Sequence, residues 1–120
     1  MAMASSRVLI SEVERDVRRL LVVLVERFGH EPVVLADDVV VPPRADLLLL
    51  EPLSRAGLEH ARLVRAFFPE LPIVCLNPLP DDAGFLGRGP IVFLPKPFAP
   101  EALEWAIGEA LALGRDVARL

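Results

Sequence analysis

Glu51 closes the stretch DLLLLEP, residues 46–52, where four leucines run into a carboxylate and then a proline. An unbroken apolar run of this length reads as a strand buried on both faces. A carboxylate at its end is costly to bury unless a cation or hydrogen-bond donors meet it. The chemistry such a group offers is nucleophilic attack or metal binding, and both need partners. The other reactive side chains offer little. Cys75, alone inside IVCL, excludes an internal disulfide and reads as inert core packing, since burial raises a thiol's pKa. His30 follows Gly29 and falls in a turn. His60 lies beside Glu59 and is expected to face solvent. Two histidines and one cysteine make no zinc constellation. No Ser-His-Asp or Cys-His order with a nucleophile elbow occurs, and GFLGRG (84–89) lacks the Lys-Ser/Thr and the helix of a phosphate loop.

The elements that must position Glu51 follow from periodicity. RVLIS (7–11) is a short apolar strand. Val17, Leu20, Leu21, Leu24, Val25 and Phe28 fall at helical spacing within 14–30, and Gly29 suits the residue just past a helix end. PVVLA (32–36) and DLLLL (46–50) are the second and third strands. GLEHARLVRAFF (57–68) places Leu58, Ala61, Val64, Phe67 and Phe68 on one helical face, and Pro69 stops it. PIVCL (72–76) and PIVFL (90–94) are the fourth and fifth strands. The last helix opens with Pro100 and is expected to close at Gly114.

Strands alternating with helices predict a parallel sheet covered on both faces. Two connections are short of a helix. Nine residues, 37–45, join the second and third strands. Extended, they reach about 30 Å, and returning past a neighbouring strand takes roughly 20 Å. The connection 77–89 is rich in proline and glycine and leaves room for about one helical turn. One sheet face is then covered by helix 57–68 alone, which predicts a thin side closed by loops, a partner or a second copy.

Bulk properties bound the remaining classes. The 120 residues are one domain's worth, 1–120, with an irregular start at 1–6. Hydrophobic residues make up 53%, enough for a core. The net charge of −4 argues against a nucleic-acid surface. The longest apolar stretch, LLVVLV (20–25), is too short to span a bilayer, and MAMASSR has no signal-peptide core. A cytoplasmic domain without membrane contact is expected, in keeping with the lone cysteine.

VLISEVERDVRRLLVVLVERFGHEPVVLA, DLLLLEP, PIVCLNP and FLPKPFAPEALEWAI together resemble the receiver domain of bacterial response regulators, in order and over nearly the whole chain. The resemblance implies a flavodoxin-like α/β fold with strand order 2-1-3-4-5, here with the second and fourth helices reduced or missing. It also implies a site. Receivers hold Mg²⁺ with two adjacent acids after strand one and the phosphoacceptor aspartate after strand three. A Thr or Ser after strand four and a lysine after strand five bind the phosphoryl oxygens. This chain matches those positions with Glu12 followed by Val13, then Glu51, Asn77 and Lys96. The Lys-Pro bond after the fifth strand is typically cis in the family. Phe93 takes the aromatic switch position, and the loop from Glu51 to Gly57 is shortened.

Only the lysine is retained. Val13 removes a metal-ligating carboxylate, and Glu51 carries its oxygens one carbon–carbon bond, about 1.5 Å, further out. The expectation is a pseudo-receiver: no cofactor, no Mg²⁺, no catalysis, and a signalling role through a protein partner or a homodimer. Glu51 would face Lys96 as a fixed charge, with Asn77 donating to the same carboxylate. The competing readings are a receiver still phosphorylated or metal-bound through Glu12 and Glu51, and a crevice for a small molecule. Trp105, two residues from the Leu103/Ala106/Ile107 face, is placed at the core edge or as an interface anchor.

Overall fold

A computed structural model describes residues 5–78, 83–86 and 89–118. The strands are β1 (Arg7–Ser11), β2 (Glu31–Val34), β3 (Leu47–Leu50), β4 (Ile73–Cys75) and β5 (Ile91–Phe93). The helices are α1 (Arg15–Arg27), α2 (Arg55–Phe67) and α3 (Pro100–Ala118), with a 3-10 turn at Ala83–Leu86. All pairings are parallel and the order is β2-β1-β3-β4-β5. This is the order that the resemblance to receivers implies.

The leucine run explains the layers. Leu47, Leu48, Leu49 and Leu50 are all fully buried. Side chains alternate across a strand, so Leu47 and Leu49 join Val8, Ile10 and Val74 under α1 and α3. Leu48 and Leu50 join Leu9, Ile73 and Cys75 under α2. Each buried leucine contributes roughly 1.5–3 kcal/mol of gross burial energy. A one-residue slip of β3 would gain nothing in burial, so its register rests on the neighbours. Glu51 N–H donates to Ser11 O at 2.9 Å and Leu76 N–H to Leu50 O at 2.9 Å. Gly29, at φ 88°, ends α1 in the left-handed region, as its position predicts.

The second helix of the receiver pattern is not formed, since 37–45 cross without one, and among the described residues the fourth is represented by the 3-10 turn at 83–86. The thin sheet face is nevertheless closed from within. Val39, Ala45 and Leu86 pack on the α2-side core. Arg65 takes part too. Only 7% exposed, it donates from Nε to Leu86 O at 2.8 Å and from Nη1 to Leu71 O at 2.6 Å. One guanidinium thus ties α2 to the chain on either side of β4.

Four expectations are corrected. His60 faces inward, 5% exposed, and does not face solvent. Its Nε2 lies 3.0 Å from Ala36 O and its Nδ1 2.7 Å from Ser11 Oγ. A carbonyl opposite Nε2 makes that nitrogen the donor, so Nδ1 accepts the serine proton. The buried face of α2 is accordingly Gly57, His60, Ala61, Val64 and Arg65, while Phe67 is exposed. Gly114 does not end α3. It lies inside the helix, where a β-carbon would stand 2.8 Å from Pro72 Cγ, so glycine serves a close approach there. Trp105 is 63% exposed and not at the core edge. Of the expected irregular start, Ser5 and Ser6 precede β1 outside any element, and 1–4 lie outside the described residues, as does most of GFLGRG beyond its 3-10 turn.

Candidate functional site

The carboxyl ends of β1, β3, β4 and β5 bring Glu12, Glu51, Asn77 and Lys96 together. Hydrogen bonding of the strand ends fixes this convergence, with Lys96 N–H donating to Leu76 O at 3.1 Å. The Lys96–Pro97 peptide is cis. Lys96 Nζ donates to Glu12 Oε1 and stands 3.1 Å from Glu51 Oε2. Asn77 Nδ2 donates to that same Glu51 oxygen.

The backbone supplies the remaining donors. Leu53 N–H donates to Glu51 Oε1 at 2.9 Å, and Glu14 N–H to Glu12 Oε2 at 3.2 Å. Every carboxylate oxygen of the pair therefore has a donor. The two carboxylates are deep, with side chains 1% and 7% exposed, while the lysine is 28% exposed at the mouth. The shortened loop contributes through Gly57. A β-carbon there would stand 1.9 Å from Glu51 O, and its N–H caps against Ser54 Oγ at 2.9 Å.

Burial alone would push the Glu51 carboxyl up. The Leu53 N–H, then Lys96 and Asn77, outweigh it and hold the carboxyl below its ordinary value. Burial likewise works against the Lys96 ammonium, but hydrogen bonds to Glu12 and Glu51 and their charges raise its pKa. Both groups are held charged. Cys75, directly below, is pushed up to about 12 by burial and by Glu51, with Arg65 opposing. Its thiol is inert at neutral pH.

The other two site positions are open. Phe93 is 53% exposed and, with Asn77, Pro78 and Pro95, lines a hollow of about 390 Å³ beside the ion triad. Val13, 53% exposed, stands where a second acid is expected. The backbone donors at Glu14 and Leu53, the inward His60 and the buried Arg65 were not foreseen from sequence. The one signal for the last two was their i, i+1 and i−1 adjacency to Ala61 and Val64 on the apolar face of α2.

No family model matches the sequence, and no curated protein matches it. Solved structures do. NtrX from Brucella abortus in complex with ADP superposes with a TM-score of 0.76 at 23% identity over 97% of this chain. The receiver domain of the sensor histidine kinase PA1611 from Pseudomonas aeruginosa, with magnesium coordinated in its active-site cleft, gives 0.71 at 20% over 91%. The chemotaxis protein CheY4 of Vibrio cholerae gives 0.73 at 20% over 89%. This chain spans 29% of the NtrX chain and 99% of the other two. The fold is that of the response-regulator receiver, flavodoxin-like, with five parallel strands and three α-helices among the described residues.

The PA1611 receiver coordinates magnesium in its active-site cleft. The ion takes near-octahedral oxygen ligands. Both carboxylates are already committed to Lys96, to Asn77 and to backbone N–H groups. Among the described residues no group of three or more His, Cys, Asp and Glu is arranged to hold a metal. No helix among them is long and apolar enough to cross a membrane.

Proposed function

We propose that this chain is a receiver-like signalling module of the two-component type that works by protein–protein contact, with Glu51 a fixed charge and not a phosphoacceptor. The observation that carries this reading is the ammonium of Lys96 between Glu12 and Glu51. Phosphoryl transfer to a carboxylate needs a free nucleophilic oxygen and a cation that neutralises the incoming phosphoryl group. Among the described residues the cation at these carboxylates is Lys96, and it is spent on both glutamates. Receiver folds are generally non-enzymatic, which supports a binding role, and the reading places the protein among cytoplasmic signalling components. Phe93 and Trp105, both exposed, are candidates for the partner-facing surface.

Incubation with acetyl phosphate and Mg²⁺, followed by intact mass, tests the reading. The expected spectrum contains unmodified chain only. An adduct of one phosphoryl group that disappears in Glu51→Gln would reject the proposal in favour of a phosphorylated receiver. Titration with Mg²⁺ alone is expected to leave the melting temperature unchanged, since a ligand of the native state would raise it.

A further inference from the structure

We propose that the cleft between α1 and the edge strand β2 is a docking groove for an acidic amphipathic helix of a partner protein. The proposal deepens the interaction-module reading by naming the surface and the chemistry of what binds it. It rests on that reading only for the existence of a partner.

The cleft has a volume of about 470 Å³ and is lined by Arg15, Arg18, Arg19, Val22, Val23 and Val34. Its floor is apolar and uncovered. Val23 is 51% exposed and Val34 44%, with Val22 beside them. β2 is an edge strand, paired on one side only, to β1. Its Pro32 has no N–H, so an added β-strand would lack a ladder bond at that residue. A helix laid along α1 uses side chains alone and avoids this obstacle.

Charge selects the partner. The chain carries a net charge of −4, yet this cleft is walled by three arginines. Arg18 is engaged, donating from Nη1 to Glu12 O at 3.3 Å. Arg15 and Arg19 have no ion-pair partner among the described residues, and both side chains lie on exposed positions. They are four residues apart, about 6 Å along the helix, and Val23 continues the same ridge one turn further. A complementary helix therefore presents two carboxylates one turn apart, followed one turn on by an aliphatic side chain over Val23 and Val34. Guanidinium–carboxylate pairs at such a rim set orientation and specificity, while the aliphatic contact gives the burial.

Two other occupants fit less well. A second copy packing the same groove on itself would bring Arg15 and Arg19 against their own counterparts. An anionic lipid surface would meet three aliphatic side chains with no aromatic anchor, and a chain of net negative charge. The arginine Arg18 also gives docking a path inward, because it holds the backbone of the residue that pairs with Lys96.

The test uses the full chain and a fluorescein-labelled 16-residue synthetic peptide carrying Glu at positions i and i+4 and Leu at i+8. Anisotropy is expected to show saturable binding, weakened at least tenfold by Arg15→Glu with Arg19→Glu, and regained by that variant towards a peptide with Lys in place of Glu. Backbone NMR shifts are expected at Val22, Val23 and Val34. Equal binding to wild type and the charge-reversed variant, or shifts centred on Phe93 and Trp105, would overturn the proposal. So would arginine-dependent sedimentation as a dimer, or flotation with phosphatidylserine vesicles lost in the same variant. Circular dichroism of the variant excludes unfolding as the cause. A phosphoryl adduct at Glu51 would reject the preceding functional reading and leave the groove standing, whereas absent peptide binding rejects the groove alone.

Discussion

Lys96 Nζ lies 3.1 Å from Glu51 Oε2 while also donating to Glu12 Oε1, so one ammonium is shared by two buried carboxylates. The net charge of the triad is −1, and the Asn77 amide and two backbone N–H groups spread it. Removing any member leaves a different group exposed to its own desolvation.

Lys96→Met is expected to cost about 3 kcal/mol, the lower end for breaking a buried pair, because the lysine is at the mouth. Adding Glu12→Gln should recover part of that loss, since the carboxylate left unpaired becomes a neutral amide. Urea denaturation of the two variants checks both. A Lys96→Met cost below about 0.5 kcal/mol would mean the triad contributes as little as an exposed surface pair.

Glu51 gives the acid limb of stability. Its folded pKa is lowered from 4.5, so its contribution is complete above 4.5 and is lost as pH falls through the lower folded value. Lys96 gives the alkaline limb. Its folded pKa is raised from 10.5, so its contribution is complete below 10.5 and is lost as pH rises beyond it. The stability gap between wild type and Glu51→Gln, followed by urea titration, should be flat from pH 5 to 9 and close progressively below about pH 4.5.

Cys75 should resist iodoacetamide at pH 8 in the folded protein and react at the rate of unfolding in urea. It is fully buried and its pKa is pushed up to about 12. Alkylation in native buffer within minutes would contradict both burial and shift.

Two glycines should respond in opposite directions to alanine. Gly57→Ala places a β-carbon 1.9 Å from Glu51 O, and overpacking of this kind is expected to cost about 3 kcal/mol. Gly108 lies inside α3 with nothing within 4 Å, so Gly108→Ala should stabilise by about 0.5–1 kcal/mol. Thermal denaturation of the pair, read against wild type, is enough.

The five strands and their alternation with helices were legible from pattern, whereas the strand order and the grouping of Glu12, Glu51, Asn77 and Lys96 were legible only through the resemblance to receivers. Four leucines in a row admit few placements, and short apolar runs separated by helices define strand ends. α2 was less legible, since its buried stripe is set by tertiary partners. Ranking by hydrophobicity puts Phe67 inside and His60 outside, but Ser11 Oγ and Ala36 O satisfy both imidazole nitrogens and turn the helix the other way. Arg65 behaves alike: three backbone carbonyls, of Leu86, Leu71 and Phe68, accept from it, and no local sequence rule reports them. Gly114 misled for a related reason, because a glycine needed for the approach of Pro72 looks from sequence like a helix stop. The backbone donors to the two glutamates come from loops, whose geometry periodicity does not encode.

Trp105 is the one tryptophan of a chain that has no tyrosine, and it stands 63% exposed on α3. The protein's intrinsic emission therefore originates at a single solvent-facing point, on a different helix from the α1 groove. Unfolding will move that emission little, because the indole is wet already. Anything that covers α3 will shift it to the blue, so the molecule carries its own optical discriminator between partners that seat there and partners that seat on α1.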